Sequence, residues 1–284
     1  MFIDIHVHPN FYEGIDKGKE MFALRQKGLN IHKNSIATIQ HVKNQMKCAG
    51  LDKLCLLAQD ESSLYGQPLV SNQEVAGLVN QAPELFFGFA SVDPLTDHWE
   101  EELYFAFQEL HLNGLSLNLS KLKLYPTDDR LQRLYEICLE EDKPILFHCG
   151  CSYEHDTVAK YSHPLEFEEV ASSYPKLRIG LEHFGWPWVK DTAMLMLKYQ
   201  NVYVDTAALF FDNALEFYRY IFTKEYEWTW VERSLRHQIM FGSDNPRFEQ
   251  IRMAHALDEL GFSKKTLDLI KGENAMEFMG IKNG

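Results

Sequence analysis

Two histidines one residue apart open the chain, in Phe2-Ile-Asp-Ile-His-Val-His-Pro9. Read as a strand, this stretch alternates Ile3, Ile5 and Val7 with Asp4, His6 and His8. The two imidazoles then share one face and can grip one metal ion. Three later apolar stretches end in residues of the same competence: Pro144-Ile-Leu-Phe-His148, Leu177-Arg-Ile-Gly-Leu-Glu-His183 and Ile239-Met-Phe-Gly-Ser-Asp244. Imidazole nitrogens with one carboxylate suit a borderline-soft divalent ion, zinc first and manganese as the alternative. Two solvated strand histidines would explain His6 and His8 alone. They do not explain four strand ends that carry ligands in the same position.

The elements that must position these residues recur regularly. Strands are expected at Lys53-Leu-Cys-Leu-Leu-Ala58, Leu85-Phe-Phe-Gly-Phe-Ala-Ser-Val92, Gly114-Leu-Ser-Leu-Asn-Leu119 and Asn201-Val-Tyr-Val-Asp-Thr206, besides the four above. Between them lie helical patterns. Ser35 reads as the cap of one carrying Ile36, Ile39, Val42 and Met46; others run from about 72 to 80, 97 to 111, 164 to 173 and 188 to 199. The stretch after Pro9, with Gly14, Gly18 and Gly28, reads as a polar loop. Eight strands alternating with helices predict a (β/α)8 TIM barrel, with a doubly wound open sheet as the rival. No linker or shift in composition divides residues 1–284, so a single domain is expected. Closing the barrel sets the eighth strand beside the first and brings Asp244 to His6 and His8. An open sheet gives those ends no reason to meet.

Bulk properties narrow the partners. The formal net charge of −13 argues against nucleic acid and against an acidic membrane surface. No apolar run approaches the roughly 20 residues that span a bilayer, and no basic segment precedes the first strand, so neither an anchor nor a signal peptide is expected. Five cysteines, an odd number without zinc-ribbon spacing, point to a reduced, cytoplasmic setting. A small-molecule substrate fits these limits, and a homo-oligomer is compatible with them.

The whole set resembles the amidohydrolase superfamily, specifically the amidohydrolase-related branch that includes aminocarboxymuconate-semialdehyde decarboxylase and pyrone-dicarboxylate lactonase. Ile3-Asp-Ile-His-Val-His-Pro9 is similar to that branch's opening, and Lys143-Pro-Ile-Leu-Phe-His148 to its fifth strand. Tyr174-Pro-Lys-Leu-Arg-Ile-Gly-Leu-Glu-His-Phe-Gly185, Phe241-Gly-Ser-Asp-Asn-Pro246 and Glu273-Asn-Ala-Met-Glu-Phe-Met-Gly280 continue the likeness to the end of the chain. The resemblance implies a metal held by His6, His8, His148 and Asp244, with His183 and Asp244 managing the protons of a metal-bound water. Binuclear relatives bridge two metals with a carboxylated lysine on strand four. Here Ser116 and Asn118 stand there, and neither can form a carbamate, so one ion is expected.

A hydrolase of an amide, ester or lactone is the leading expectation. The alternative is a non-oxidative decarboxylase of an unsaturated or aromatic carboxylate; a third is a ligand-binding barrel without catalysis. Arg247, just past Asp244, is placed to clamp a substrate carboxylate, or is a surface arginine at a helix start. Trp186 is expected to wall the substrate, or simply to cap the barrel. Asp205 is placed either to orient a ligand histidine or to cap a turn. Cys149 and Cys151 read as small loop residues rather than thiolate ligands.

Overall fold

In a computed structural model, which describes residues 1–15, 18–208 and 211–281, eight strands stand side by side in chain order, all parallel. They are β1 Ile3–Val7, β2 Lys53–Leu57, β3 Phe86–Ala90, β4 Gly114–Leu117, β5 Ile145–Phe147, β6 Ile179–Leu181, β7 Val202–Asp205 and β8 Ile239–Met240. The ring closes between β8 and β1. Ile5 N donates to Phe241 O at 3.0 Å, Asp244 N to His6 O at 3.1 Å and His8 N to Asn245 O at 2.8 Å. The TIM barrel expected from the sequence is therefore the fold.

Side chains sort into two apolar layers. Ile145, Phe147, Ile179, Leu181, Ile239 and Phe241 pack outward against the helices. Ile3, Ile5, Leu57, Phe89, Leu146, Tyr203 and Met240 fill the barrel. The helix Asn274–Phe278 plugs its lower end, with the Phe278 ring 5.2 Å from Tyr203 and 6.3 Å from Phe89. These inward residues occupy the bottom and middle of the barrel and leave its top to polar groups.

The simple alternation expected for β1 is broken. Asp4 pairs with Leu54 but Val7 with Leu56, so three residues of β1 span two of β2. This bulge re-phases the strand. Ile3 and Ile5 face the barrel below it, and His6 and His8 face the same interior above it, while Asp4 turns outward. There Asp4 accepts hydrogen bonds from Ser243 N (2.9 Å), Ser243 Oγ (2.6 Å) and Gln250 Nε2 (2.8 Å). Asp4 thus ties β1 to the segment that carries Asp244. Burial raises its carboxyl and these hydrogen bonds oppose the rise, leaving it at about 6.

Two expectations of local structure need correction. Residues 19–29 form a helix, Lys19–Leu29, rather than loop; Gly28 in its last turn and weak apolar periodicity hid it. The next helix starts at Ile39, not after Ser35, because Thr38 supplies the cap, accepting His41 N at 3.1 Å. No helix among the described residues is long and apolar enough to cross a membrane.

Candidate metal centre and its pocket

The strand tops bring His6, His8 and Asp244 together. His6 Nε2 lies 3.1 Å from His8 Nε2, and Asp244 Oδ1 lies 3.4 Å from His8 Nε2 and 3.8 Å from His6 Nε2. Gly242 permits this close approach: a Cβ there would sit 3.1 Å from the Cβ atoms of both His6 and Ala207. Asp244 itself turns inward with φ of 63°, just past a β8 only two residues long.

Hydrogen bonds assign the imidazole tautomers. His6 Nδ1 donates to Asp205 Oδ2 at 2.8 Å, so Nε2 is the nitrogen left to meet a metal once its proton is displaced. His183 Nδ1 faces Ala207 O at 3.3 Å and so carries the proton. Its Nε2 then accepts from His148 Nδ1 at 3.2 Å. That leaves His148 Nε2 as a lone pair, and this atom is buried with no hydrogen-bond partner among the described residues. Three imidazoles with inward lone pairs or facing nitrogens, beside a carboxylate, make a donor set without its acceptor. A divalent cation fits it.

The electrostatics agree. Burial alone would strip the proton from His6, but Glu182 and Asp205 outweigh it and push the group up to about 10. His6 is therefore held in its charged form among these carboxylates. His8 and His148 are kept neutral by burial, His148 also by the neighbouring His183 and His6. Burial, then the charge on His6, lowers His183 to about 4. For Asp244 burial is overcome by His8, Arg247 and His6, which hold the carboxyl well below its ordinary range.

Glu182 is the residue that sequence reasoning missed. On an extended strand Glu182 and His183 would face opposite sides. His183 (φ 59°) and Phe184 (φ 54°) instead adopt left-handed conformations, so both consecutive side chains reach the centre. Glu182 Oε2 lies 3.6 Å from His183 Nε2 and 3.6 Å from His148 Nδ1. Burial drives its carboxyl up, partly offset by His6. The run Leu-Glu-His-Phe-Gly held both residues; only the backbone kink was illegible. Besides His6, His8 and Asp244, a second close group of donors is His6, Glu182 and His183.

The remaining candidates separate. Asp205 is fully buried and has the orienting role, bonding His6 and also accepting His183 N at 2.7 Å and Ala207 N at 3.0 Å. Arg247 lines the pocket, with Nε 3.2 Å from Asp244 Oδ2 and Nη2 donating to Leu29 O at 2.6 Å. Trp186 does not line it; its ring packs 6.2 Å from Phe211. Cys149 donates to Ser162 O at 3.3 Å, and burial raises the thiols of both Cys149 and Cys151, so neither supplies a thiolate. Ser116 and Asn118 line the wall at strand four. Lys121 is turned away from a bridging role, its Nζ 3.0 Å from Gly28 O and 3.1 Å from Glu154 Oε2. The cavity is narrow, about 40 Å³, and mostly polar.

A family model described as Amidohydrolase matches residues 58–281, well over half of the chain. Among solved structures, an uncharacterized TIM-barrel protein from Bordetella bronchiseptica aligns with a TM-score of 0.77 at 17% identity, covering 98% of this chain and 98% of that one. The 5-carboxyvanillate decarboxylase from Sphingomonas paucimobilis aligns with a TM-score of 0.69 at 15% identity, over 99% of each chain. A dihydroxybenzoic acid decarboxylase from Polaromonas, solved with manganese and the inhibitor 2-nitroresorcinol, aligns with a TM-score of 0.66 at 16% identity, over 100% and 98% of the two chains. At these identities the likeness is one of fold. No curated protein sequence matches the chain.

Proposed function

The chain belongs to the amidohydrolase family, and on that premise we propose that it is a metal-dependent hydrolase of a small polar substrate: an amide, ester or lactone. The observation that carries this reading is the pair of facing nitrogens, His6 Nε2 and His8 Nε2 at 3.1 Å, beside Asp244 and the orphaned His148 Nε2. His6, His8, His148 and Asp244 would hold one ion, zinc first and manganese as the alternative. Once bound, such an ion lowers the pKa of a water from 15.7 to about 7 and polarises a carbonyl.

The chain's own groups then manage protons and position. Asp205 fixes the His6 tautomer. His183, neutral at physiological pH, has Nε2 3.6 Å from Glu182 Oε2 and 3.2 Å from His148 Nδ1, and would take a proton from the attacking water by exchanging the His148 hydrogen bond for one to that water. Glu182, driven toward its protonated form by burial, is suited to return a proton to the leaving group. Asp244 would accept the water's proton through its carboxylate, while Arg247 Nε holds Oδ2 at 3.2 Å. Arg247 also borders the cavity and would meet a substrate carboxylate. All five cysteines are free, which supports a cytoplasmic setting.

Arg247 also favours a second reading, decarboxylation of an unsaturated or aromatic carboxylate. The test is to load the protein with zinc or manganese and incubate it in oxygen-18 water with lactones, amides, esters and unsaturated carboxylates. Heavy oxygen in a product carboxylate without carbon dioxide is the expected result. Carbon dioxide release would replace it with the second reading, and inertness toward every class would leave a ligand-binding barrel.

A further inference from the structure

The same cavity is bordered by a second group of ionisable residues that the proposed chemistry does not use. Glu61 follows β2, caps the short helix Ser62–Tyr65 and is only 3% exposed. Its side chain lines the cavity, and Oε2 is buried with no hydrogen-bond partner among the described residues. A buried carboxylate oxygen without a donor is costly, because it has given up water and gained no partner. The protein has not spent Lys121 on it. That ammonium is committed to Glu154 Oε2 at 3.1 Å and Gly28 O at 3.0 Å. Glu154 therefore holds Lys121 by direct contact, and Glu61 stands on the same cavity wall with no direct cationic partner among the described residues.

We infer that Glu61 is a substrate-recognition residue whose free carboxylate oxygen receives a protonated nitrogen group, an ammonium or guanidinium, on the substrate. The inference rests on the reading of this cavity as the substrate site and names the class of substrate it takes. A cation there supplies the missing donor and forms a charge-assisted hydrogen bond with the ionised carboxylate. With Arg247 on the same cavity, the substrate would present a cationic group to one wall while its reacting carbonyl faces the histidines. Burial drives the Glu61 carboxyl up to about 7, with Lys121 pulling it back, so it is ionised in mildly alkaline buffer.

Methylguanidinium is a suitable probe, because it stays protonated and is a poor metal ligand; N-methylurea is its neutral isostere. Both are titrated into the zinc-loaded protein at pH 8.5 by saturation-transfer nuclear magnetic resonance, without any turnover. Methylguanidinium is expected to bind at least tenfold more tightly than N-methylurea, and Glu61→Gln to abolish the difference. Equal affinities in the unaltered protein overturn the inference, with no variant needed. A preference that survives in folded Glu61→Gln overturns it as well. Binding is separate from hydrolysis: an active hydrolase with an indifferent Glu61 fails only this test, and an inactive chain that prefers the cation fails only the proposed reaction.

Discussion

Replacing Asp205 by Asn should cost metal affinity out of proportion to its size. The two side chains have nearly the same volume, so packing is preserved. What changes is the direction of one hydrogen bond. Asp205 Oδ1 accepts two backbone donors, His183 N at 2.7 Å and Ala207 N at 3.0 Å, while Oδ2 accepts His6 Nδ1 at 2.8 Å. An Asn must keep its oxygen on the two backbone groups, because turning it over leaves both without an acceptor at roughly 1–3 kcal/mol each. Its amide NH2 then faces His6 Nδ1. His6 must present a lone pair there and move its proton to Nε2, the atom that faces His8 Nε2 and Asp244. In the unaltered protein the Nε2 proton leaves when metal binds and the Nδ1 proton stays, bonded to Asp205; in the variant the proton that is kept occupies the metal's position. Loss of such an orienting carboxylate typically weakens metal binding by about 10–100-fold, or about 1.4–2.8 kcal/mol. The assay is competition for zinc against a fluorescent chelator at pH 7.5, with thermal unfolding of the metal-free variant as the control for folding. A dissociation constant within threefold of the unaltered protein would refute the tautomer argument.

Other outcomes follow from the same geometry. Zinc must displace the proton of His6, which the carboxylates hold up to about 10, whereas His8 and His148 are already neutral. Binding should release about one proton between pH 7 and 9, with log affinity rising about one unit per pH unit; a flat profile would contradict this. In the metal-free protein the raised His6 contributes stability fully present below pH 6.5 and lost as pH rises through about 10, which thermal melts across that window should show. His148→Ala should lose most of its zinc on purification, while His183→Ala keeps it but loses activity; equal loss would make His183 a ligand. Arg247→Ala should raise KM far more for carboxylated substrates than for neutral ones. An equal effect would confine the arginine to steadying Asp244.

The barrel was legible because eight apolar strands punctuate the chain at regular intervals, and because His148 and Asp244 follow clear outward-facing runs such as Ile145 and Phe147. His6 and His8 were also placed on the correct face, but for an incomplete reason. A period of two assigns Ile3 and Ile5 to the opposite side, and the bulge puts all four inside. Such a bulge leaves no residue signature here, since it depends on pairing with β2. Glu182 was hidden similarly, by left-handed backbone at His183 and Phe184, two residues that rarely adopt it. Glu61 and Lys121 sit on loops whose convergence only the closed barrel creates. Asp205 was recognisable because it ends β7 on the inward phase, as Tyr203 does two residues before it.

The central claim is a single divalent ion held by the tops of β1, β5 and β8. A crystal structure of the zinc-loaded protein, with anomalous scattering recorded at the zinc edge, tests it directly. One strong peak per chain is expected, with donor atoms of His6, His8, His148 and Asp244 about 2.0–2.2 Å from it and His183 outside that shell. Two peaks sharing a ligand at Ser116 or Asn118, or one peak bound by His6, Glu182 and His183 instead, would contradict it.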